Sequence, residues 1–359
     1  MKALIAMSGG VDSSVSALLM KEKGYDCIGC TMKLYANEDI ACDASNTCCS
    51  LDDVEDAKSV ARRLGMPHYT FNFQDKFRET VIGNFIDCYE NGMTPNPCIQ
   101  CNKHMKFSEL YRRALELGCD KVVTGHYARI RKCDNGYQLL KGLDDNKDQS
   151  YVLYAMTQEE LAHTDFPLGE LSKDEVRKIA ESNDFINANK PDSQDICFVP
   201  DGDYVSAIKR FTGKEYAPGD FVDAQGNVLG QHKGVISYTI GQRKGLGISA
   251  AYPLYVTKLD MENNRVVLGK NEDLFSKEVY VEDINWINPD AQADKFQCKA
   301  KVRYRMTEQP CTVERIGDTK AKITFDEPQR AITPGQSAVF YDGDVVLGGG
   351  IIKAGLLPD

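Results

Sequence analysis

Three cysteines lie in polar, turn-rich contexts that favour reactive thiols over buried ones. Cys98 and Cys101 follow the proline-rich residues 94–97 and lead into a helix, and Cys197 comes much later in the chain. Cys101 is expected near a helix N-terminus beside cationic side chains, and both features lower a thiol pKa from about 8.5. The sequence therefore indicates thiol chemistry at Cys101 and Cys197.

The spacing of these thiols leaves several uses open. Cys98-x-x-Cys101 could form half of a zinc site, although a second clear pair is missing. Cys98, Cys101 and Cys197 could instead hold three corners of an iron–sulfur cluster, with one iron left open. A poor match to the second half of a zinc site is offered by Cys42, Cys48 and Cys49. Unreactive core cysteines are expected at Cys27, Cys30, Cys88, Cys119 and Cys298.

A glycine loop, Ser8-Gly9-Gly10-Val11-Asp12-Ser13-Ser14, follows an apolar strand and opens a helix. Its glycines allow backbone N–H groups to approach a phosphate, and the helix N-terminus favours negative charge. Asp12 cannot bind phosphate directly, so it suggests a Mg²⁺ ion between its carboxylate and the phosphates. The loop lacks the lysine of a Walker A motif. It resembles the pyrophosphate loop (PP-loop) of the N-type ATP pyrophosphatases, which cleave ATP between the α and β phosphates.

These residues need elements that bring them together, and the first half of the chain alternates strand and helix patterns. Strands are expected at residues 3–7, 27–32, 68–73 and 121–124, with helical spacing between them. A further helix is expected after Ser172, where Glu175 completes a capping box. This alternation predicts a doubly wound parallel α/β sheet with its site beyond the carboxyl ends of the strands. The glycine loop, Met32 and Gly125 all fall at such ends.

From Phe221 onward, short β-like runs alternate with turn signals such as Gln225-Gly226-Asn227. We therefore expect an α/β catalytic domain of the PP-loop type over residues 1–200 and a small central β-rich domain over 201–275. A C-terminal β-barrel-like domain over 276–359 would contact RNA.

Residues 299–305 of the last domain alternate strictly between cationic and other side chains. The alternation predicts a strand with one cationic face, which suits contact with nucleic-acid phosphates. A solvated polar face is the alternative interpretation. The predicted cationic face consists of Lys299, Lys301, Arg303 and Arg305.

The composition is that of a globular chain, with 359 residues of which 42% are hydrophobic and 27% charged. No apolar run approaches the length of a membrane span, and the N-terminus has no signal-peptide pattern, so a cytoplasmic protein without a membrane partner is expected. The 13 cysteines are an odd number, which rules out complete pairing within the chain. The net charge of -10 excludes a generally basic nucleic-acid coat but allows one local basic surface.

Eight segments together make the chain closely similar to the tRNA-specific 2-thiouridylases. They are Ser8-Gly9-Gly10-Val11-Asp12-Ser13, Thr94-Pro95-Asn96-Pro97, Cys101-Asn102-Lys103, Thr124-Gly125-His126-Tyr127, Lys147-Asp148-Gln149-Ser150-Tyr151, Ile196-Cys197-Phe198, Gly241-Gln242-Arg243-Lys244-Gly245-Leu246-Gly247 and Thr333-Pro334-Gly335-Gln336. The resemblance implies ATP-dependent 2-thiolation of the wobble uridine in lysine, glutamate and glutamine tRNAs. The products would include AMP and pyrophosphate. The implied partners are the tRNA anticodon arm and a sulfur donor, such as a cysteine desulfurase or a sulfur-relay protein.

The resemblance also implies roles for individual residues. Cys197 would carry sulfur as a persulfide, and Cys101 would free that sulfur by forming a disulfide with Cys197. Family members vary at position 98, where some carry aspartate, so a [4Fe-4S] cluster on Cys98, Cys101 and Cys197 stays open as the alternative. ATP would contact Ala6, Met7, Ser8, Gly9, Gly10, Val11, Asp12, Ser13, Met32 and Gly125. The tRNA would contact Asn96, Pro97, Cys98, His126, Lys147, Asp148, Gln149, Arg303, Tyr304 and Gln336.

Two other function classes fit part of the sequence. A PP-loop synthetase that adenylates a small metabolite would explain the glycine loop but not Cys101 or Cys197. A non-catalytic iron–sulfur or tRNA-binding protein would leave Asp12 and the ATP loop without purpose. ATP turnover that depends on RNA would discriminate against the first class.

Overall fold

The computed structural model describes residues 1–36, 51–192, 196–290 and 293–353. Cys42, Cys48 and Cys49 lie outside these residues. The strands are β1 (Lys2–Ala6), β2 (Asp26–Lys33), β3 (His68–Asn72), β4 (Lys121–Val123), β5 (Ala128–Cys133), β6 (Gly136–Lys141), β7 (Thr164–Asp165), β8 (Gly219–Val222), β9 (Val228–His232), β10 (Tyr255–Asp260), β11 (Arg265–Gly269), β12 (Phe275–Asn285), β13 (Lys295–Lys301), β14 (Gln309–Ile316), β15 (Lys320–Arg330), β16 (Ser337–Asp342) and β17 (Val345–Ile352).

Two of the helices change from α-helical to π-helical geometry and back along their length. The first run, α3, joins Gln74–Phe77 to Gly83–Glu90 through the π-helical turn Arg78–Ile82. The second, α4, joins Pro97–Cys101 to Leu110–Glu116 through the π-helical segment Asn102–Glu109. The remaining helices are α1 (Val11–Glu22), α2 (Leu51–Arg63), α5 (Gln158–Ala162), α6 (Lys173–Ser182) and α7 (Tyr204–Thr212), with short 3₁₀ turns at Ser150–Val152, Val235–Ser237 and Asn271–Leu274. No helix of the described residues is long and apolar enough to cross a membrane.

The predicted parallel sheet is present, with strands in the order β3-β2-β1-β4-β7. Successive residues of β1 point to opposite faces of this sheet. Ala3 and Ile5 pack in a core with α1, α2 and α6, whereas Leu4 packs in a second core with α3 and α4. Helices therefore cover both faces, and the prediction of a doubly wound sheet is confirmed. The strand order reverses between β1 and β4, where such sheets bind ligands.

The second half of the chain forms two mainly β structures, as expected. Strands β8 to β11 form a sheet in the order β10-β11-β8-β9, and its Phe221 and Val266 share the core that contains Leu4. Strands β12-β15-β14-β13-β16-β17 form a closed barrel, because β17 pairs back with β12. The prediction of a C-terminal β-barrel is confirmed.

A hairpin from the first half of the chain extends the sheet of this barrel. Strand β6 pairs with both β5 and β17, and Leu140 lies opposite Val345. An ion pair of 2.7 Å between Arg129 and Asp344 supports the same contact. The catalytic half and the barrel are therefore joined by a shared sheet, which the sequence did not predict.

The predicted cationic strand is wrong beyond Lys301, where β13 ends. Residues 302–306 form a bend and a turn. The Arg303 guanidinium donates hydrogen bonds to the carbonyl oxygen of Ala331 and to Thr333 Oγ1, in the segment between β15 and β16. Arg303 and Arg305 therefore do not continue the face formed by Lys299 and Lys301.

Candidate active site

The glycine loop has a backbone that only glycine can adopt at its first turn. Gly9 has a φ of 77°, and a β-carbon there would lie 2.3 Å from the carbonyl oxygen of Asp53. Ser13 Oγ accepts from Ser8 N and donates to the Gly10 carbonyl, at 3.2 and 3.0 Å. Gly10 precedes α1 and offers no side-chain cap. The N–H groups of the first turn of α1 are therefore suited to bind phosphate oxygens.

The end of β4 packs directly against this loop. A β-carbon on Gly125 would lie 3.0 Å from the Asp12 carbonyl carbon and 3.0 Å from Ser13 N. The absence of a side chain at Gly125 lets the segment after β4 approach the first turn of α1.

A cavity of about 350 Å³ opens beside the loop and contains both predicted catalytic cysteines. The cavity brings together the carboxyl ends of β1, β2 and β4 and the start of α4. The predicted site residues in its wall are Ala6, Met7, Ser8, Asp12, Ser13, Met32, Pro97, Cys98, Cys101, Gly125, His126, Gln149 and Cys197. Gly9, Gly10 and Val11 are not part of this wall.

A second, polar cavity of about 990 Å³ lies between the loop and the barrel. It shares Ser8, Asp12 and Gln149 with the first cavity. Its other predicted site residues are Gly10, Val11, Lys147, Asp148 and Tyr304. The two cavities meet at the glycine loop, so a nucleotide and a larger polar substrate could approach it from different sides.

Several predicted tRNA residues instead support loops near the cavities. Asn96 caps α4, because its Oδ1 accepts from Cys98 N at 3.2 Å. Gln336 donates to the carbonyl oxygens of Thr94 and Pro95, at 2.7 and 3.3 Å. The loop that leads to Cys98 is therefore fixed to the barrel.

Asp148 is another predicted tRNA residue whose side chain is used inside the protein. Its carboxylate is buried and accepts from Gly142 N and from the backbone and hydroxyl of Ser150. Arg303 is half-buried, and burial together with Arg330 lowers its pKa. Neither side chain lies on an open surface, whereas Tyr304 remains 37% exposed.

The sequence analysis missed a lysine that contacts the glycine loop. Lys173 Nζ lies 2.7 Å from Asp12 Oδ1, 2.8 Å from Asp12 Oδ2 and 2.7 Å from Asp192 Oδ1. Burial alone would raise the pKa of Asp192, but hydrogen bonds from Lys147 and Lys173 bring it below its ordinary value. Lys173 directly follows the capping residue Ser172, and nothing in that local pattern indicates a partner 161 residues away.

Asn187 and Lys190 were also missed, and both contact the loop from the other side. Asn187 Nδ2 donates to the Gly9 carbonyl at 2.8 Å and to Ser14 Oγ at 2.9 Å. Lys190 Nζ lies 2.6 Å from Asp53 Oδ1 and 3.5 Å from the Gly9 carbonyl oxygen. Both residues follow α6, so this helix and the turn after it brace the phosphate loop.

The predicted Mg²⁺ role of Asp12 does not fit this arrangement. Mg²⁺ is usually bound by one or two carboxylates together with substrate phosphates. Both oxygens of Asp12 already face the Lys173 ammonium, and Tyr127 donates a third hydrogen bond to Oδ1 at 2.7 Å. Asp12 is therefore placed to orient the Lys173 ammonium group.

The three candidate cluster cysteines line one cavity without forming a metal site. Within residues 1–36, 51–192, 196–290 and 293–353, no three His, Cys, Asp or Glu side chains are grouped to hold a metal ion. The described side chains therefore do not group as the ligands of an iron–sulfur cluster or a zinc ion.

The other described cysteines are buried or half-buried, and of these only Cys30 reaches the wall of this cavity. Cys27, Cys30 and Cys119 are buried, and burial raises the pKa of each thiol. Cys88 is half-buried, with its pKa raised to about 11 for the same reason. Cys298 faces Cys311 across β13 and β14, at 3.7 Å between sulfurs.

Comparison with known proteins assigns the chain to a family. Residues 1–201 match the tRNA methyl transferase HUP domain, 206–270 the tRNA methyl transferase PRC-barrel domain, and 276–352 the aminomethyltransferase beta-barrel domain. The chain is 52% identical to the tRNA-specific 2-thiouridylase MnmA of Clostridioides difficile, over 99% of both chains. It is 49% identical to the protein of that name from Acetivibrio thermocellus, over 98% of this chain and 99% of that one. A third such relative, from Halothermothrix orenii, is 48% identical over 98% of this chain and 99% of its own. On this similarity, the chain belongs to the tRNA-specific 2-thiouridylase family.

Proposed function

We propose that this chain adenylates the C2 oxygen of a tRNA uridine with ATP and replaces that oxygen with sulfur carried on Cys197. Family membership makes the chain an ATP-using tRNA sulfurtransferase that forms 2-thiouridine. The observation that carries the mechanism is the common cavity of the glycine loop, Cys101 and Cys197. The wobble position in lysine, glutamate and glutamine tRNAs is the proposed target.

The first step would make the C2 oxygen a good leaving group. The oxygen attacks the α-phosphorus of ATP, pyrophosphate departs, and the base carries AMP on its former carbonyl oxygen. The N–H groups at the start of α1 are suited to stabilise the negative charge on the phosphates. Lys173, paired with Asp12 in the polar cavity, offsets the negative charge of that loop carboxylate beside the phosphates.

The second step would transfer the sulfur. The outer sulfur of a Cys197 persulfide attacks C2, and AMP leaves with the former carbonyl oxygen. The Cys101 thiolate then attacks Cys197 Sγ, so a Cys101–Cys197 disulfide forms and the electron pair of the broken S–S bond stays on the sulfur at C2. A thiol reductant must reduce this disulfide, and a sulfur donor protein must renew the persulfide, before the next turnover.

The polar cavity is the proposed entrance for the tRNA. Lys147, Gln149 and Tyr304 line it, and the exposed Arg305 lies at the same wall. The target base must leave the anticodon stack to reach the cysteines, as bases do for other enzymes that modify them. Asn96, Pro97 and Cys98 would frame that base at the mouth of the smaller cavity.

Domain limits near residues 200 and 275 remain proposals, supported by the limits of the three domain matches. A cytoplasmic location also remains a prediction.

The test is thiolation of unmodified lysine tRNA with ATP, Mg²⁺, a thiol reductant and a persulfide donor such as a cysteine desulfurase with cysteine, read as thiouridine by mass spectrometry. Metal-free protein is compared with anaerobically reconstituted protein. Product from the metal-free sample supports the persulfide route. Product from only the reconstituted sample would contradict that route and favour a cluster that includes Cys98. A Cys197→Ala protein with normal thiolation would contradict both versions.

A further inference from the structure

The π-helical segment of α4 determines which side chains join Cys101 in the cavity wall. A π-helix bonds residues five apart, so positions 101 and 106 lie about one turn from each other on the same side. In an uninterrupted α-helix, five residues correspond to about 500°, which would turn position 106 about 140° away. Cys101 and Lys106 do line the same cavity, whereas the neighbouring Lys103 is exposed.

Lys106 is the only lysine or arginine in this cavity wall, as far as the described residues go. The other titratable side chains of the wall come from the strand ends, α4 and the segment around Cys197. They are Asp12, Cys30, Cys98, Cys101, His126 and Cys197. Asp12 forms an ion pair with Lys173, and burial raises the pKa of the Cys30 thiol. The positive charge of Lys106 is therefore the one available to a thiolate in the cavity.

A neutral histidine orients this lysine. Lys106 Nζ lies 3.3 Å from His126 Nε2, and an ammonium group can only donate. Nε2 is therefore the acceptor, and the Nδ1–H donates to Thr124 Oγ1 at 2.7 Å. Burial and the charge of Lys106 hold the pKa of His126 well below its usual range, so the ring stays neutral. The histidine fixes the ammonium without cancelling its charge, whereas carboxylates surround Lys173.

We propose that Lys106 stabilises the thiolate of Cys101 in the cavity, with His126 as the positioning residue that holds its ammonium group. A nearby cation favours the thiolate, and a largely apolar cavity strengthens that interaction. The inference rests on the proposed role of Cys101 as the thiol that frees the sulfur. It assigns to Lys106 a function in the reaction that Lys103, two residues from Cys101, does not share.

The experiment measures alkylation of Cys101 by iodoacetamide as a function of pH, with peptide mass spectrometry to separate Cys101 from the other thiols. It needs no tRNA, so its result is independent of whether thiolation occurs. The variants are Lys106→Met and Lys106→Gln, and the glutamine can still donate to His126. Lys106→Arg keeps the charge, and Lys103→Met removes an exposed charge from the same helix.

In both neutral Lys106 variants, we expect the midpoint of Cys101 alkylation to rise by about one pH unit or more. Lys106→Arg and Lys103→Met should stay close to the parent protein, and thiolation by the neutral variants should fall at least about tenfold. An unchanged midpoint in Lys106→Gln would overturn the proposal. So would an equal shift in Lys103→Met, because the effect would then not depend on the cavity wall. Loss of thiolation without a shift would also contradict it.

Discussion

Lys173 donates to both carboxylate oxygens of Asp12, at 2.7 and 2.8 Å, across 161 residues of sequence. The side chain of Lys173 is only 9% exposed, and a second carboxylate, Asp192, lies 2.7 Å from the same ammonium. A buried cation with two carboxylate partners is fixed in direction at the wall of the polar cavity. The phosphate loop therefore has a lysine, but it comes from α6 instead of from the loop.

Replacement of Lys173 by methionine should slow pyrophosphate release about 10- to 100-fold, because the Asp12 carboxylate beside the phosphates loses its cationic partner. The measurement is single-turnover release of pyrophosphate in the presence of tRNA. Lys178→Met is the matched control, since Lys178 is exposed on the same helix. Normal release in Lys173→Met would show that this lysine does not serve the phosphates.

Substitution of either predicted catalytic cysteine by serine should abolish thiolation, by more than about 100-fold, because a serine can neither carry a persulfide nor form the disulfide. ATP binding should persist, since neither thiol belongs to the glycine loop. Non-reducing peptide mapping after one turnover should find Cys101 bonded to Cys197 in the parent protein. Cys133→Ser, on the hairpin β5–β6, is the control and should retain activity.

Substitution of Gly9 by alanine should destabilise the protein more than substitution of Gly24 by alanine. Both glycines have a positive φ, of 77° and 81°, so alanine at either position costs about 1–2 kcal/mol of backbone strain. At Gly24 the added β-carbon meets nothing within 4 Å, but at Gly9 it meets backbone atoms of Asp53. Urea unfolding of the two variants should therefore differ, and equal losses would contradict the close contact.

Acid should destabilise the fold through His126, whose pKa is held well below the usual value of 6.5 by burial and by Lys106. Below pH 6.5 the unfolded chain takes up a proton at this ring and the folded protein does not. The free energy of unfolding therefore decreases as the pH falls, by about 1.4 kcal/mol per pH unit for one proton. The stabilisation that comes from burying a neutral His126 ring is present above pH 6.5 and is lost as the pH falls below this value.

The check is the pH dependence of urea unfolding between pH 6.5 and 5. His126→Gln removes this proton uptake, so its stability should change less steeply with pH than that of the parent protein. An identical slope in the two proteins would mean that the His126 ring takes up its proton at the same pH in the folded protein and in the unfolded chain, which contradicts the lowered pKa.

Features that depend on residues close together in the chain could be predicted from the sequence. The capping box of Ser172 and Glu175 is present, as are the parallel strands that end at the glycine loop. These features depend on residues close together in the chain. The position of Gly125 at the end of a strand could also be predicted, because a short apolar run comes just before this glycine.

The parts that depend on distant partners could not be predicted in this way. The alternating residues 299–305 indicate a strand, but the strand ends at Lys301 and Arg303 donates to distant acceptors at Ala331 and Thr333. Lys173 appears as an ordinary first residue of a helix, and only the fold brings it to Asp12. The position of Lys106 depends on a π-helical segment, which no spacing rule for α-helices anticipates.

The contact of Gln336 with Thr94 and Pro95 has a consequence for how the chain can be divided. The barrel carries the amide that fixes the segment before Cys98, and its strand β17 covers the edge of the β5–β6 hairpin. A protein cut after residue 200 would lose that amide and expose an unpaired strand edge, which promotes aggregation. The first 200 residues therefore do not form an independent module. A domain that replaced the barrel would have to pair with the edge of β6 and hold the loop at Thr94 and Pro95.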